Sequence, residues 1–188
     1  FSDILVAEPI IPIMFPAERE TNGALRVLSL FSGCGGMDLG FEGNFICHKK
    51  SIPYNSDWVK SPVNDNWVLL KGTRFKTIFA NDILKEAQQT WLRYMDRFNV
   101  PDEIYHFGSI VDYVRMHNQG VKVFPENVDI VTGGFPCQDF SVAGKRKGFN
   151  SSKSHNGEKI DINAPTEETR GKLYIWMKQV IEIVRPKI

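Results

Sequence analysis

Apolar residues run almost without interruption through residues 25–31 (LRVLSLF) and stop at the glycine-rich SGCGG. That is the pattern of a buried parallel strand feeding a tight turn. Residues 77–82 (TIFAND) predict a second strand. The period then changes: Ile83, Ala87, Trp91, Tyr94, Met95 and Phe98 recur at helical spacing, with Asn81 or Asp82 as N-cap and Pro101 beyond the end. Residues 104–110 (IYHFGSI) read as a third strand, followed by a short helix from about Ile110 to Asn118, and residues 128–134 (VDIVTGG) as a fourth strand. Leu173, Trp176, Met177, Val180, Ile181 and Val184 form one more amphipathic face, closed by Pro186. Strands alternating with helices predict an α/β domain with a mostly parallel sheet and flanking helices. Residues 1–24, with Pro9, Pro12 and Pro16, read as an arm or tether. Residues 44–76, polar with scattered Trp58 and Trp67, read as an insertion without definite structure, and 151–168 as a polar connection.

At 188 residues the chain is long enough for one domain with a sizeable core. Its net charge of +1 excludes a histone-like polycation and an acidic disordered tail, while leaving room for a local basic patch. The three cysteines, Cys34, Cys47 and Cys137, form no CxxC pair and no metal-ligand set, and no secretory signal opens the chain. A reducing cytosol is the expected setting. The chain opens on Phe1 and stops at VRPKI, where a helix has just met a proline and an apolar segment is about to begin. It is therefore expected to be the N-terminal part of a larger catalytic unit.

In parallel α/β sheets ligands bind beyond the carboxyl ends of the strands. Two glycine turns fall at that edge: FSGCGG after the first strand and TGGFPC after the fourth. The first fails the dinucleotide fingerprint, because Asp38 stands where a third glycine would. Its Gly33, Gly35 and Gly36 fit either a purely geometric turn or a site for an anion at the next helix start. Asp82 fits ribose hydroxyls and a helix N-cap equally well. Cys137 fits an inert core thiol; its place after Pro136 at the ligand edge favours a displayed one. Lys145, Arg146 and Lys147 behind it suit either a solvated loop or phosphates.

Together these segments resemble the DNA cytosine-5 methyltransferases. Residues 25–43 look like the family's S-adenosylmethionine loop, residues 129–148 its Pro-Cys motif and mobile loop, and residues 169–173 (TRGKL) the start of the next helix. The resemblance implies a Rossmann-like methyltransferase fold over residues 25–188, interrupted by the insertion at 44–76. Phe31, Ser32, Gly33, Gly35 and Gly36 would line the cofactor, Asp82 would take its ribose hydroxyls, and Ile83 would pack on adenine. Ser109 replaces the aspartate the family places against the adenine amino group, and Ile110 would close the ring's other face. Cys137 would be the nucleophile: thiolate addition at C6 of cytosine makes C5 nucleophilic. Since that atom is inaccessible in a duplex, the base must be flipped out of double-stranded DNA. Pro136, Gln138 and Ser141 would lie against the base and its strand, with Lys145 to Lys147 on phosphates. A cognate restriction endonuclease would share the system without being a stable partner.

The family's Glu-Asn-Val motif has a tempting match at residues 126–128. At about 3.3 Å per residue, the strand that follows carries Glu126 well over 15 Å from Cys137, to the wrong edge of the sheet. The true acid is expected beyond the segment RPKI. Methylation of cytosine in RNA, an inert subunit of a split enzyme, and a nicotinamide oxidoreductase are the rival readings; Asp38 and the Pro-Cys turn disfavour the last.

Overall fold

A computed structural model describes residues 22–52, 56–135 and 172–188. In chain order the elements are β1 (Leu25–Leu30), α1 (Gly36–Glu42), β2 (Ile46–His48), β3 (Val59–Pro62), β4 (Trp67–Leu70), β5 (Phe75–Asp82), α2 (Lys85–Met95), β6 (Tyr105–Phe107), α3 (Ile110–Asn118), β7 (Ile130–Gly133) and α4 (Leu173–Val184). The frame is a parallel sheet in the order β6–β5–β1–β7. Helices cover both faces. On one, Val111 and Val114 of α3 and Leu173, Trp176 and Val180 of α4 bury Leu28, Leu30 and Phe79. On the other, Trp91 and Met95 of α2 pack with Ala80, Ile104 and Tyr105, and Leu39 of α1 joins them. This double cover is why β1 and β5 read as continuous apolar runs rather than alternating ones.

The α/β architecture with a parallel sheet agrees with the pattern in the sequence; the differences lie at element boundaries and in the insertion. Helix α2 begins at Lys85, and its N-cap is Leu84, not Asn81 or Asp82, both of which belong to β5. Ile83 therefore precedes the helix. Ala87, Trp91 and Met95 form its buried stripe, whereas Tyr94, also in phase with the apolar positions, stays exposed. Of α4's apolar residues, Leu173, Trp176 and Val180 are buried while Ile181 is exposed.

Residues 44–76 do have structure. They contain a second, antiparallel sheet in the order β2–β4–β3. A bridge between Gly43 and Gly72, with Asn44 N–H to Lys71 O (3.0 Å) and Thr73 N–H to Glu42 O (3.1 Å), fastens it to the end of α1. Buried Glu42 completes the joint by accepting from Thr77 N–H (2.8 Å) and pairing with Lys76 Nζ (3.0 Å). This small sheet thus adjoins the amino-terminal half of β5, away from the carboxyl edge.

The last two residues lie along the outer side of β7. The amides of Lys187 and Ile188 donate to Asp129 O (2.9 and 3.0 Å), and Val131 N–H donates to Ile188 O (3.0 Å). Asp129 also accepts from Arg26 N–H (2.8 Å) and pairs with Lys187 Nζ (2.6 Å), holding its carboxyl below the usual range, chiefly through the lysine hydrogen bond. Among the described residues no helix is long and apolar enough to cross a membrane.

Candidate active site

Strand register decides what meets at the carboxyl edge. Leu30, last in β1, pairs with Asn81 on one side and Gly133 on the other, and Asp82 pairs with Phe107. The turns after β6, β5, β1 and β7 therefore open side by side. Residues more than 100 apart in sequence become neighbours: the Phe31 and Phe135 rings meet edge to face, 6.4 Å between centroids.

The first glycine turn is tightly tied. Phe31 leaves β1 at φ +54°, a conformation that is uncommon for a large side chain and concentrates at functional sites. Ser32 N–H donates to Asn81 O (2.8 Å) while its hydroxyl donates to Ser29 O (3.0 Å) and accepts from Asn81 N–H (3.1 Å). Gly33 N–H donates to Asp82 Oδ2 (2.9 Å). Gly35 adopts φ +84°, and a Cβ there would stand 2.6 Å from Trp91 Cδ1. Only glycine lets the turn close onto the buried indole. Gly36 then opens α1, whose first amides have no partner within the helix.

Asp82 clamps two loops. Oδ2 holds Gly33, and Oδ1 accepts from Leu84 N–H (3.0 Å). A carboxylate offers about four lone-pair sites, so capacity remains for hydroxyl donors. Asn81, one residue earlier and buried, gives its amide hydrogens to His106 O (2.8 Å) and Gly108 O (2.9 Å), holding the end of β6 to β5. Its signal in the sequence was a polar residue closing an apolar run. Tyr105, whose hydroxyl lies 3.5 Å from Gly33 O, has its pKa raised by burial and remains a donor. Ile83 is half-buried. Ser109 is buried as the N-cap of α3, accepting from Val111 N–H (3.3 Å). Ile110 is buried in the main core.

Asp38, the residue that breaks the dinucleotide fingerprint, is a structural group. Its fully buried carboxylate accepts from Trp91 Nε1–H (2.6 Å), and desolvation raises its pKa above the usual carboxylate value. A raised folded-state pKa means the folded protein takes up this proton at higher pH than the unfolded chain. Asp38 thus adds stability at acid pH that is lost as pH rises through its folded-state value. Asp38→Asn keeps an acceptor for the indole and should flatten this dependence, changing stability near neutrality by about 1 kcal/mol or less. Asp38→Leu strands the buried N–H and should cost about 1–3 kcal/mol. Urea unfolding of both variants across pH 4–8 checks this; equal losses in the two would remove the hydrogen bond from the account.

The second glycine turn begins at Gly133, where a Cβ would meet Met177 Sδ at 3.0 Å, so the glycine lets α4 approach β7. Gly134 and Phe135 follow at the edge. Pro136, Cys137, Gln138, Ser141, Lys145, Arg146 and Lys147 lie outside the described residues. Of the other cysteines, Cys34 is exposed in the first turn and Cys47 belongs to β2. Glu126 precedes β7, pairs with Lys122 (2.9 Å) and lines a cavity of about 620 Å³ with His117, Phe124, Ile183 and Val184. That cavity adjoins the amino end of β7, the end remote from the glycine turns.

Comparison with known proteins bears on this edge. The model of the family described as C-5 cytosine-specific DNA methylase matches residues 25–188. The chain is 38% identical over 126 residues to the type II methyltransferase M.BsuRI of Bacillus subtilis, covering 65% of this chain and 25% of that protein. It is 35% identical over 124 residues to M.BspRI of Lysinibacillus sphaericus, covering 64% and 25% respectively. To M.Eco47II of Escherichia coli it is 27% identical over 168 residues, 89% of this chain and 27% of that one. The chain thus spans about a quarter of the length of these relatives. A match running from β1 through both glycine turns to the last residue covers most of the chain: it belongs to the C-5 cytosine-specific DNA methylase family.

Proposed function

We propose that this chain is the cofactor-holding and thiol-bearing part of a DNA cytosine-5 methyltransferase of the restriction-modification type. It would use S-adenosylmethionine, act on double-stranded DNA and work in the cytosol. The observation that carries the reading is the convergence of the Gly33–Gly36 turn, Asp82 and the approach to Pro136–Cys137 at one sheet edge. S-adenosylmethionine supplies an electrophilic methyl group when bound. The first amides of α1 suit its carboxylate, the spare lone pairs of Asp82 its ribose hydroxyls, and half-buried Ile83 its adenine. Ser109 and Ile110, the one a buried cap and the other a core residue, would act on the adenine pocket chiefly by fixing the turn after β6.

In this reading Cys137 adds as thiolate to C6 of a flipped cytosine, turning C5 into a nucleophile. After C5 is methylated its proton leaves, the C6–S bond breaks and the thiolate is restored. Pro136 would stiffen the turn, and Gln138 and Ser141 would line the base. Lys145, Arg146 and Lys147 would meet phosphates. A cognate endonuclease would recognise the same DNA sequence without forming a complex with this chain.

The experiment has two arms. Calorimetry with S-adenosylmethionine compares wild type with Asp82→Asn, which removes the charge and keeps an acceptor for only one of the two loop amides. Losing charge-assisted hydrogen bonds to the ribose is worth about 1.5–3 kcal/mol, so affinity should fall roughly 10- to 100-fold. Unchanged affinity would leave Asp82 only its clamp on Gly33 and Leu84. The second arm measures transfer of tritiated methyl groups to duplex DNA by an enzyme carrying this chain at its relatives' full length. No incorporation into cytosine would end the catalytic reading.

A further inference from the structure

The antiparallel β2–β4–β3 sheet has no part in the site above, yet its outer surface is unusual. Ile46 pairs with Leu69, and His48 with Trp67. Val63 N–H bonds to Trp67 O (2.9 Å) and Lys71 N–H to Trp58 O (2.8 Å). Strand alternation therefore sets Ile46, His48, Trp67 and Leu69 on one face, continued by Val63 and Lys71, with Cys47, Val59, Val68 and Leu70 on the other; Trp58, in the helical turn just before β3, lies beside Lys71. Burial agrees: Val68 is 3% exposed, against 56% for Trp58 and 44% for Trp67. The two indoles stand at opposite ends of the sheet, about 13 Å apart by strand rise.

Charge is equally uneven. Between residues 44 and 76 the cations are Lys49, Lys50, Lys60, Lys71, Arg74 and Lys76 and the only carboxylates are Asp57 and Asp65, although the whole chain carries 23 cations and 22 carboxylates. Lys76 is held by Glu42, whereas the other five cations are exposed and form no ion pair among the described residues. Exposed aromatics on a sheet, bordered by cations and nearly lacking acids, match a strand of phosphodiesters in both its parts, flat bases and a repeating negative charge. Stacked bases cover the rings while phosphates meet the lysines. A duplex hides its base faces and could use only the charges.

We infer that this outer face is a platform for an unpaired DNA strand, separate from the catalytic edge. The choice of DNA rests on the function proposed above; the platform itself does not need methyl transfer. It would hold the protein on single-stranded stretches of the polymer it modifies.

The test titrates the 188-residue chain into a labelled oligothymidylate of about 15 nucleotides, within the site size of one such module. Replacing Trp58 and Trp67 by alanine should weaken binding by roughly 30-fold or more, two stacked bases at about 1–3 kcal/mol each, with the salt slope unchanged, while phenylalanine at both positions should hold it within a few-fold. Replacing Lys49, Lys50 and Lys71 by glutamine should instead lower the slope of log K against log salt by about 2, at about 0.7 per phosphate contact on a single strand. Acrylamide gives a third reading. Trp91 and Trp176 are buried, so quenchable emission comes from Trp58 and Trp67, and the oligonucleotide should shield it. If the alanine pair misfolds by circular dichroism, the phenylalanine and lysine variants and the shielding decide. No binding, tighter binding to a blunt duplex, or a dimer that Trp67→Ala dissolves without affecting the oligonucleotide would each overturn the inference. An enzyme that binds the strand but never methylates would overturn the catalytic reading and leave the platform standing.

Discussion

Cys137→Ala, placed in an enzyme carrying this chain at its relatives' full length, is expected to lower methyl transfer to cytosine by on the order of 10⁴ or more, with S-adenosylmethionine affinity within a few-fold of wild type. Removing a covalent nucleophile abolishes the pathway rather than weakening one contact, which is why the expected loss is so large. The proposed role rests on where the described chain leads. Leu30 pairs with Gly133, and the Phe31 and Phe135 rings meet edge to face, so the chain leaves β7 beside the Gly33–Gly36 turn one residue before Pro136. Cys47 belongs to the antiparallel sheet beside the other end of β5, and Cys34 is the one rival near the edge. DNA containing 5-fluorocytosine separates the two. Its C5 carries fluorine where a proton must leave, so the adduct cannot eliminate and should be trapped on Cys137. A variant retaining more than a few per cent of activity, or an adduct mapped to Cys34, would take the nucleophile role away from Cys137.

The second large effect is on stability. Gly35→Ala must hold a side chain at φ +84°, which costs about 1–2 kcal/mol for the left-handed backbone. It must also fit a Cβ 2.6 Å from Trp91 Cδ1, against an indole that is fully buried and donates to Asp38. Overpacking of that kind adds about 1–3 kcal/mol. A total loss of about 2–5 kcal/mol is a large part of the 5–15 kcal/mol typical of a domain. The neighbouring glycines calibrate the result. Gly33 is left-handed at φ +53° but faces open space, so its alanine should cost only the backbone part. Gly36 has neither constraint, and its alanine should be close to neutral for folding. Urea denaturation should rank the losses Gly35 > Gly33 > Gly36. Equal losses in all three would mean that contact with Trp91 does not restrict the turn.

The parallel sheet was legible in the sequence because burial on both faces forces unbroken apolar runs, as in LRVLSLF and TIFAND, and tight turns force glycine. The glycine turn after β1 and the start of the one after β7 were legible as motifs for the same reason: closing so tightly at the sheet edge tolerates few residue types. The small β2–β4–β3 sheet was not legible. Its strands are three or four residues long, Val68 is its only deeply buried residue, and an outer face of Trp58, Trp67 and Lys71 offers no apolar period to read. Nor could the sequence settle Asp82. A carboxylate after a strand suits a cap or a sugar equally, and only register, setting Asp82 against Gly33 across 49 residues, made it a clamp that still has lone pairs to offer. Asp38 likewise read as a flaw in a fingerprint until folding buried it on the indole of Trp91. Local pattern determined which elements form. Which side chains meet depended on strand order and register, because those contacts join residues that no short window contains.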